Sequence, residues 1–191
     1  TTDTLMRIAV YCSAKAGLPQ EVVDDARTLG RWIGENGHQL VYGGLSLGLM
    51  HEVAYAAREA GAIVMGVVPQ NRIDSMHPDN TVNLFCSTLH ERKQMMEENA
   101  DVFVALDGGI GTLDEVFAAL ASMTFFREPK PVMLLNRNDL YSPLKDLMGH
   151  MVTRSLATPP ATRHLQFYPT VGELTAALGR ANEELLANPD R

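Results

Sequence analysis

Six short runs rich in Val, Ile and Leu recur along the 191-residue chain, at 7–12 (RIAVYC), 39–42 (QLVY), 62–68 (AIVMGVV), 82–86 (VNLFC), 101–106 (DVFVAL) and 131–135 (PVMLL). They are continuous rather than alternating, as strands covered on both faces are, and helical patterns separate them. Residues 21–37 place Val22, Val23, Ala26, Leu29 and Ile33 at helical spacing and stop at Gly37, and residues 49–61 repeat the arrangement up to Gly61. HERKQMMEENA, TLDEVFAALASMTFF, DLYSPLKDLMGHMV and TVGELTAALGRANEELLA complete the helical set. This alternation predicts an α/β fold: a Rossmann-like, doubly wound, mostly parallel sheet with helices on both faces, in one domain over 1–191. No internal repeat interrupts it, and the longest linker is the Pro/Asp/Asn-rich loop 69–80.

In such sheets ligands bind beyond the carboxyl ends of the strands. The segments that follow each strand, CSAKAG, GGLSLG, PQNRID, STLHERK and DGGIGT, are therefore where function is expected. Composition narrows the ligand. With a formal net charge of -7 and no Lys/Arg run, the chain suits neither a nucleic-acid backbone nor an anionic membrane as partner, and an anionic ligand needs local positive potential. Cys12 and Cys86 stand in strand-like runs without CxxC spacing, so buried free thiols in a reducing compartment are expected. The opening TTDTLMRIAVYCS has no basic segment and no run long enough to cross a membrane, so a cytoplasmic protein is expected.

DGGIGTLDE (107–115) follows a strand and opens a helix. Its glycines let the backbone turn tightly, and a helix N-terminus points free N–H groups at whatever sits in the turn, which suits a phosphate. The dinucleotide pattern GxGxxG fails at Asp114, and GxxxxGK[ST] is absent, leaving a cradle of monophosphate size. The plain alternative is a capping box, Thr112-x-x-Glu115, that does no more than start the helix. A helix start should also keep Asp114 and Glu115 ionised, which suits a carboxylate that stabilises a cationic sugar or positions water.

GGLSLG (43–48) is a second Gly-rich turn, expected as another wall of the same crevice through Gly43, Gly44 and Ser46. It also spells G-x-S-x-G, so an esterase with Ser46 as nucleophile, Asp139 and His164 is a rival reading, weakened because only one strand precedes the one that leads into this turn. In STLHERK, Arg92 and Lys93 open a helix at the sheet's carboxyl edge; the plain reading is a solvated face with a Lys93–Glu97 pair, the functional one a cationic wall. His38, His51, His77, His150 and His164 show no metal-ligand spacing, so no metal and no cofactor is expected. VFAALASMTFF, apolar nearly all round, is a core helix or a subunit interface.

DGGIGTLDE, LHERKQMM and VYGGLSLGLM, in this combination, resemble the LONELY GUY (LOG) family across nearly the whole chain. That family's signature is PGGxGTxxE with an upstream Arg-Lys pair. The resemblance implies a Rossmann-like homodimer that hydrolyses the N-glycosidic bond of cytokinin riboside 5′-monophosphates to free base and ribose 5-phosphate, with AMP as a secondary ligand or substrate. It implies Arg92 and Glu115 as the catalytic pair and phosphate contacts from Gly108, Gly109, Gly111 and Thr112. Ile110, Leu113 and Asp114 lie inside the same signature, and Lys93 lies near the substrate. Two positions depart from the pattern: Asp107 stands for the family's proline, and Leu45 for a glycine. The other reading of the same scaffold is a nucleotide-binding sensor or carrier without catalysis. A pyridoxal-dependent lysine decarboxylase is not expected, for no Schiff-base lysine with a cofactor pocket can be identified.

Overall fold

The computed structural model describes residues 5–125, 128–158 and 162–188. All six anticipated strands form: β1 (Arg7–Tyr11), β2 (Gln39–Tyr42), β3 (Ile63–Pro69), β4 (Val82–Cys86), β5 (Val102–Ala105) and β6 (Val132–Leu135). A seventh, β7 (Leu165–Tyr168), joins at the edge beside β6. Every pairing among the described residues is parallel, in the order β4-β3-β2-β1-β5-β6-β7. The α-helices are α1 (Gln20–Glu35), α2 (Gly48–Glu59), α3 (Leu89–Glu98), α4 (Ile110–Phe125), α5 (Ser142–Thr153) and α6 (Val171–Ala187). The expected loop 69–80 contains a 3-10 turn at Gln70–Ser75.

Strand periodicity divides the core into two layers. Ile8 and Val10 of β1 face α1, α2 and α6 through Leu29, Ile33, Val53 and Leu178. Ala9 and Tyr11 face the other way, onto Met96 of α3 and Val116 and Ala119 of α4. Because successive side chains leave a strand on opposite faces, a run must be apolar throughout to fill both layers. That requirement explains the continuous runs, and the sheet is doubly wound as expected.

The α1–α2 contact is the tightest between helices. Gly30 and Gly34, one turn apart on α1, meet α2 so closely that a Cβ at Gly34 would stand 2.5 Å from Ala60 Cβ and 2.8 Å from Ala57 O, and one at Gly30 would strike Val53 O. At Gly149 in α5, by contrast, a Cβ would meet nothing within 4 Å. Gly34→Ala is therefore expected to lower the urea midpoint by the equivalent of about 1–3 kcal/mol through overpacking, whereas Gly149→Ala raises it by up to about 1 kcal/mol through helix propensity. Equal midpoints for the two variants would contradict the close contact.

Candidate active site

Successive strands are added outward on one side of β1 from β2 to β4, and on the other side from β5 to β7. Between β1 and β5 the following loops therefore diverge, and a cavity of about 320 Å³ opens there. Cys12, Ser13 and Lys15 line one wall, Gly109, Gly111 and Thr112 the other. Arg92 and Glu115 also line it.

Arg92 is held from three elements. Thr88 caps α3 by accepting from the Glu91 N–H at 3.1 Å, and the Glu91 carboxylate accepts from Ser87 N at 2.6 Å. One turn on, the guanidinium donates from Nε to Val67 O at 3.1 Å and from Nη2 to Gly43 O. A Cβ at Gly43 would run into Arg92 Nη2 and lie 2.8 Å from Met50 Sδ, so this glycine makes room for the guanidinium. A guanidinium carries five N–H donors; two are spent on backbone carbonyls, and three remain for a ligand.

Helix α4 begins at Ile110, two residues before Thr112. Thr112 is consequently not a cap: it is buried in the first turn, packed so closely on Gly108 that a Cβ there would overlap its Oγ1. The alternative of a capping box at Thr112-x-x-Glu115 is not what forms, and Glu115, one turn into the helix, lines the crevice. Burial pushes the Glu115 carboxyl up to about 7, with Asp114 adding repulsion and Arg92 and Lys93 opposing. The helix start does not keep it fully ionised at neutral pH; desolvation outweighs the dipole here. Gly109 and Gly111 border open space, and Ile110 is largely exposed at the mouth.

Several other expected site residues do not line this cavity. Lys93 Nζ bonds both oxygens of Asp114, at 2.8 and 2.9 Å, clamping α3 to α4 in place of the expected pair with Glu97. Leu113 packs against the core layer between the sheet and helices α3 and α4. Gly44, at φ +78°, accepts from Asn80 Nδ2 at 3.1 Å and His77 N at 2.9 Å, tying down the segment after β3. Ser46 opens instead on a neighbouring cavity of about 390 Å³, its Oγ 3.0 Å from His51 Nδ1. No carboxylate among the described residues hydrogen-bonds His51, Glu52 is held by Arg27 Nε at 2.6 Å, and Ser46 N is taken by Ser75 O. His164 precedes β7 at the opposite edge of the sheet, so the Ser46–Asp139–His164 arrangement is not assembled.

Two further groups bear on the chemistry. Asp107, in the proline's place, is not among the residues that line the crevice; burial and Asp25 raise its pKa, Arg137 lowers it and Glu21 raises it. Arg137 in turn holds Asp25, with Nη2 on Oδ1 at 2.6 Å and Nε on Oδ2. Cys12, partly buried at the crevice, is kept a neutral thiol by burial and by Glu115. Cys86 is buried and also free. No group of three or more metal-ligating side chains occurs among the described residues, and no helix there is long and apolar enough to cross a membrane.

A family described as "Possible lysine decarboxylase" matches residues 50–178. Cytokinin riboside 5′-monophosphate phosphoribohydrolase LOG of Oryza sativa subsp. japonica is 37% identical over 175 residues, 90% of this chain and 72% of that protein. The chain belongs to the LOG family. The cytokinin riboside 5′-monophosphate phosphoribohydrolase of Rhodococcoides fascians is 36% identical over 159 residues, covering 82% of this LOG-family chain and 80% of its relative. Among solved structures, the Moco carrier protein from Chlamydomonas reinhardtii superposes with a TM-score of 0.74 at 26% identity, over 95% of this chain and 99% of that one. The molybdenum cofactor binding protein from Rippkaea orientalis, at 22% identity and TM-score 0.74, shares the fold over 92% of this chain and 96% of its own.

Lys15, which no motif in the sequence singles out, lines the crevice from the segment after β1. The signal was available, since that segment belongs with the ligand-binding loops, but a lone lysine in CSAKAG follows no phosphate motif.

The raised Glu115 pKa has a consequence for stability. Its folded value of about 7 exceeds the ordinary 4.5, so the ionised carboxylate is disfavoured in the folded state; the penalty is absent below pH 4.5 and complete above pH 7. Glu115→Gln, which cannot ionise, is expected to gain on the order of 1–3 kcal/mol relative to the wild type as pH rises across that window. Thermal unfolding of both proteins at pH 4.5 and pH 8 measures it, and a difference independent of pH would show that Glu115 is not shifted.

Proposed function

We propose that this LOG-family protein hydrolyses the N-glycosidic bond of nucleoside 5′-monophosphates, cytokinin riboside 5′-monophosphates first among them and AMP second, releasing free base and ribose 5-phosphate. The observation that carries the reading is the placement of Glu115, tuned to about 7, beside Arg92 in a crevice that begins at a glycine-lined helix start. Family membership supports the reaction, since the rice and Rhodococcoides relatives are named for it.

The phosphate would rest against the N–H groups at the start of α4, which have no carbonyl within their own helix to bond and carry the positive end of its dipole. That anchoring holds the ribose while C1′ reacts. As the C1′–N bond breaks, its electron pair leaves with the base and positive charge builds on the sugar. The Glu115 carboxylate stabilises that charge and takes the proton of the water whose oxygen bonds to C1′. A base with pKa near 7 is effective at neutral pH, strong enough to accept the proton yet substantially ionised. Arg92, with its orientation fixed by Val67 and Gly43, supplies free N–H donors to the leaving base or to the phosphate.

A second cavity of about 420 Å³ shares Ala14, Met50 and Arg92 with the first and adds Leu45, Leu47 and Leu89. Its leucines would suit a base with a hydrocarbon substituent, with Asn71, Arg72, Ser87 and Thr88 forming the polar part of the lining, and Leu45, the departure from the family's glycine, belongs to the apolar part. The reading carries a homodimer with it, for which the exposed Phe117 and Ile110 of α4 offer apolar surface. It also places the protein in the cytoplasm, where nucleoside monophosphates and reduced cysteines both occur.

Purified protein incubated with isopentenyladenosine monophosphate, and separately with AMP, should release free base measurable by chromatography. The turnover number should rise with pH to a plateau, with a midpoint near 7 set by Glu115. Glu115→Gln should lower it about 10²–10⁴-fold while ligand still binds. Near-normal turnover in that variant would sink the assignment. The second reading, a nucleotide carrier without catalysis, is favoured by the likeness to the Moco carrier protein; tight binding with no base released by the wild type would select it.

A further inference from the structure

We infer that Lys15 is the phosphate-binding cation of the crevice, and that it makes the site discriminate 5′-phosphorylated nucleosides from unphosphorylated ones. The inference rests on the proposed nucleotide site and assigns a role to a residue outside the family signature.

The lining contains two cationic side chains, Arg92 and Lys15. Arg92 spends two of its donors on Val67 O and Gly43 O, which fixes its orientation. Lys93, the cation expected near the ligand, is bound to both carboxylate oxygens of Asp114. The Lys15 ammonium has neither a hydrogen bond nor an ion pair among the described residues, and the residue is exposed. It lines the same cavity as Gly109, Gly111 and Thr112 at the start of α4, where a phosphate would sit, so rotation of its side chain can bring the ammonium to that group.

The backbone that carries Lys15 is held in place while its side chain is not. Ser13 N donates to Asp107 O at 3.0 Å, linking this segment to the turn before α4, and Ser13 O accepts from Leu49 N at 2.9 Å in the first turn of α2. Lys15 N donates to Ser13 Oγ at 3.1 Å. Gly48, at φ +51°, lets α2 pack directly on the segment: a Cβ there would stand 2.5 Å from Ala14 C and 2.7 Å from Lys15 O. Any side chain at position 48 would push the lysine's wall away. A fixed backbone with a free ammonium suits a dianionic group, because the charge is already near its target and only the side-chain rotamers need to be ordered. An acidic protein repels phosphate at long range, so a local cation matters more here than in a basic one.

Lys15 also borders the neighbouring cavity that holds Ser46 and Glu52. Glu52 is already engaged by Arg27, which removes the competing carboxylate from contention.

The test is calorimetric titration of the wild type, Lys15→Ala and Lys15→Arg with AMP, ribose 5-phosphate and adenosine at low salt. Lys15→Ala should weaken AMP and ribose 5-phosphate about 10- to 100-fold, the range of a charge-assisted hydrogen bond, and leave adenosine unchanged. Lys15→Arg should restore most of the loss. AMP binding by Lys15→Ala within twofold of the wild type, or an equal loss for adenosine, would overturn the inference and leave the proposed reaction standing. Failure of the wild type to bind either phosphate would overturn both.

Discussion

At the centre of the sheet β1 pairs with β2 on one side and β5 on the other, and the loops that follow these strands part company. The gap is bridged by two backbone hydrogen bonds, Leu106 N to Tyr11 O at 2.9 Å and Ser13 N to Asp107 O at 3.0 Å. Beyond them the crevice opens. The turn before α4, the segment carrying Lys15 and the anchors for Arg92 all take their positions from strand ends at this edge. A parallel sheet delivers many chain segments to one edge, each at a fixed spacing from its neighbour, and here those segments carry the polar groups the core cannot hold.

Burial and charge are balanced within the crevice. Glu115 is removed from water far enough to resist ionisation, while Arg92 opposes that effect without bonding it in a fixed ion pair. Had Arg92 closed on Glu115, the carboxylate would be held well below its ordinary range and would be a poor base. The carbonyls of Gly43 and Val67 prevent this by claiming part of the guanidinium. The clamp between Lys93 and Asp114 fixes α3 against α4, the two helices on which Arg92 and Glu115 stand. Such an exposed pair contributes little to stability, but it sets the spacing of its sequence neighbours.

The pattern T-x-x-E shows how far sequence reading reached. It occurs at Thr88–Glu91, Thr112–Glu115 and Thr170–Glu173. In the first and third the threonine accepts from the glutamate's N–H, at 3.1 and 3.2 Å, and the helix starts there. In the second the helix starts two residues earlier, after a glycine turn, and the same letters place a buried threonine and a carboxylate facing the crevice. The local sequence is compatible with both outcomes. What decides is how the preceding glycines pack, above all Gly108 against Thr112. The edge strand β7 was missed for a related reason, since LQFY is short and only its first residue is fully buried.

The sequence by itself determined the doubly wound α/β fold, the family, and the segments in which chemistry would be found, because continuous apolar runs and glycine-rich turns are local features that few folds can accommodate. It did not determine which polar groups in those segments meet. Lys93 turning to Asp114, Arg92 reaching the carbonyls of Val67 and Gly43, Asp107 lying near Asp25, Arg137 and Glu21, and Lys15 lining one cavity with Gly109 and Glu115 all bring together residues distant in the chain. Charge interactions depend on distance and on the surrounding dielectric, and both exist only once the sheet has brought the loops together.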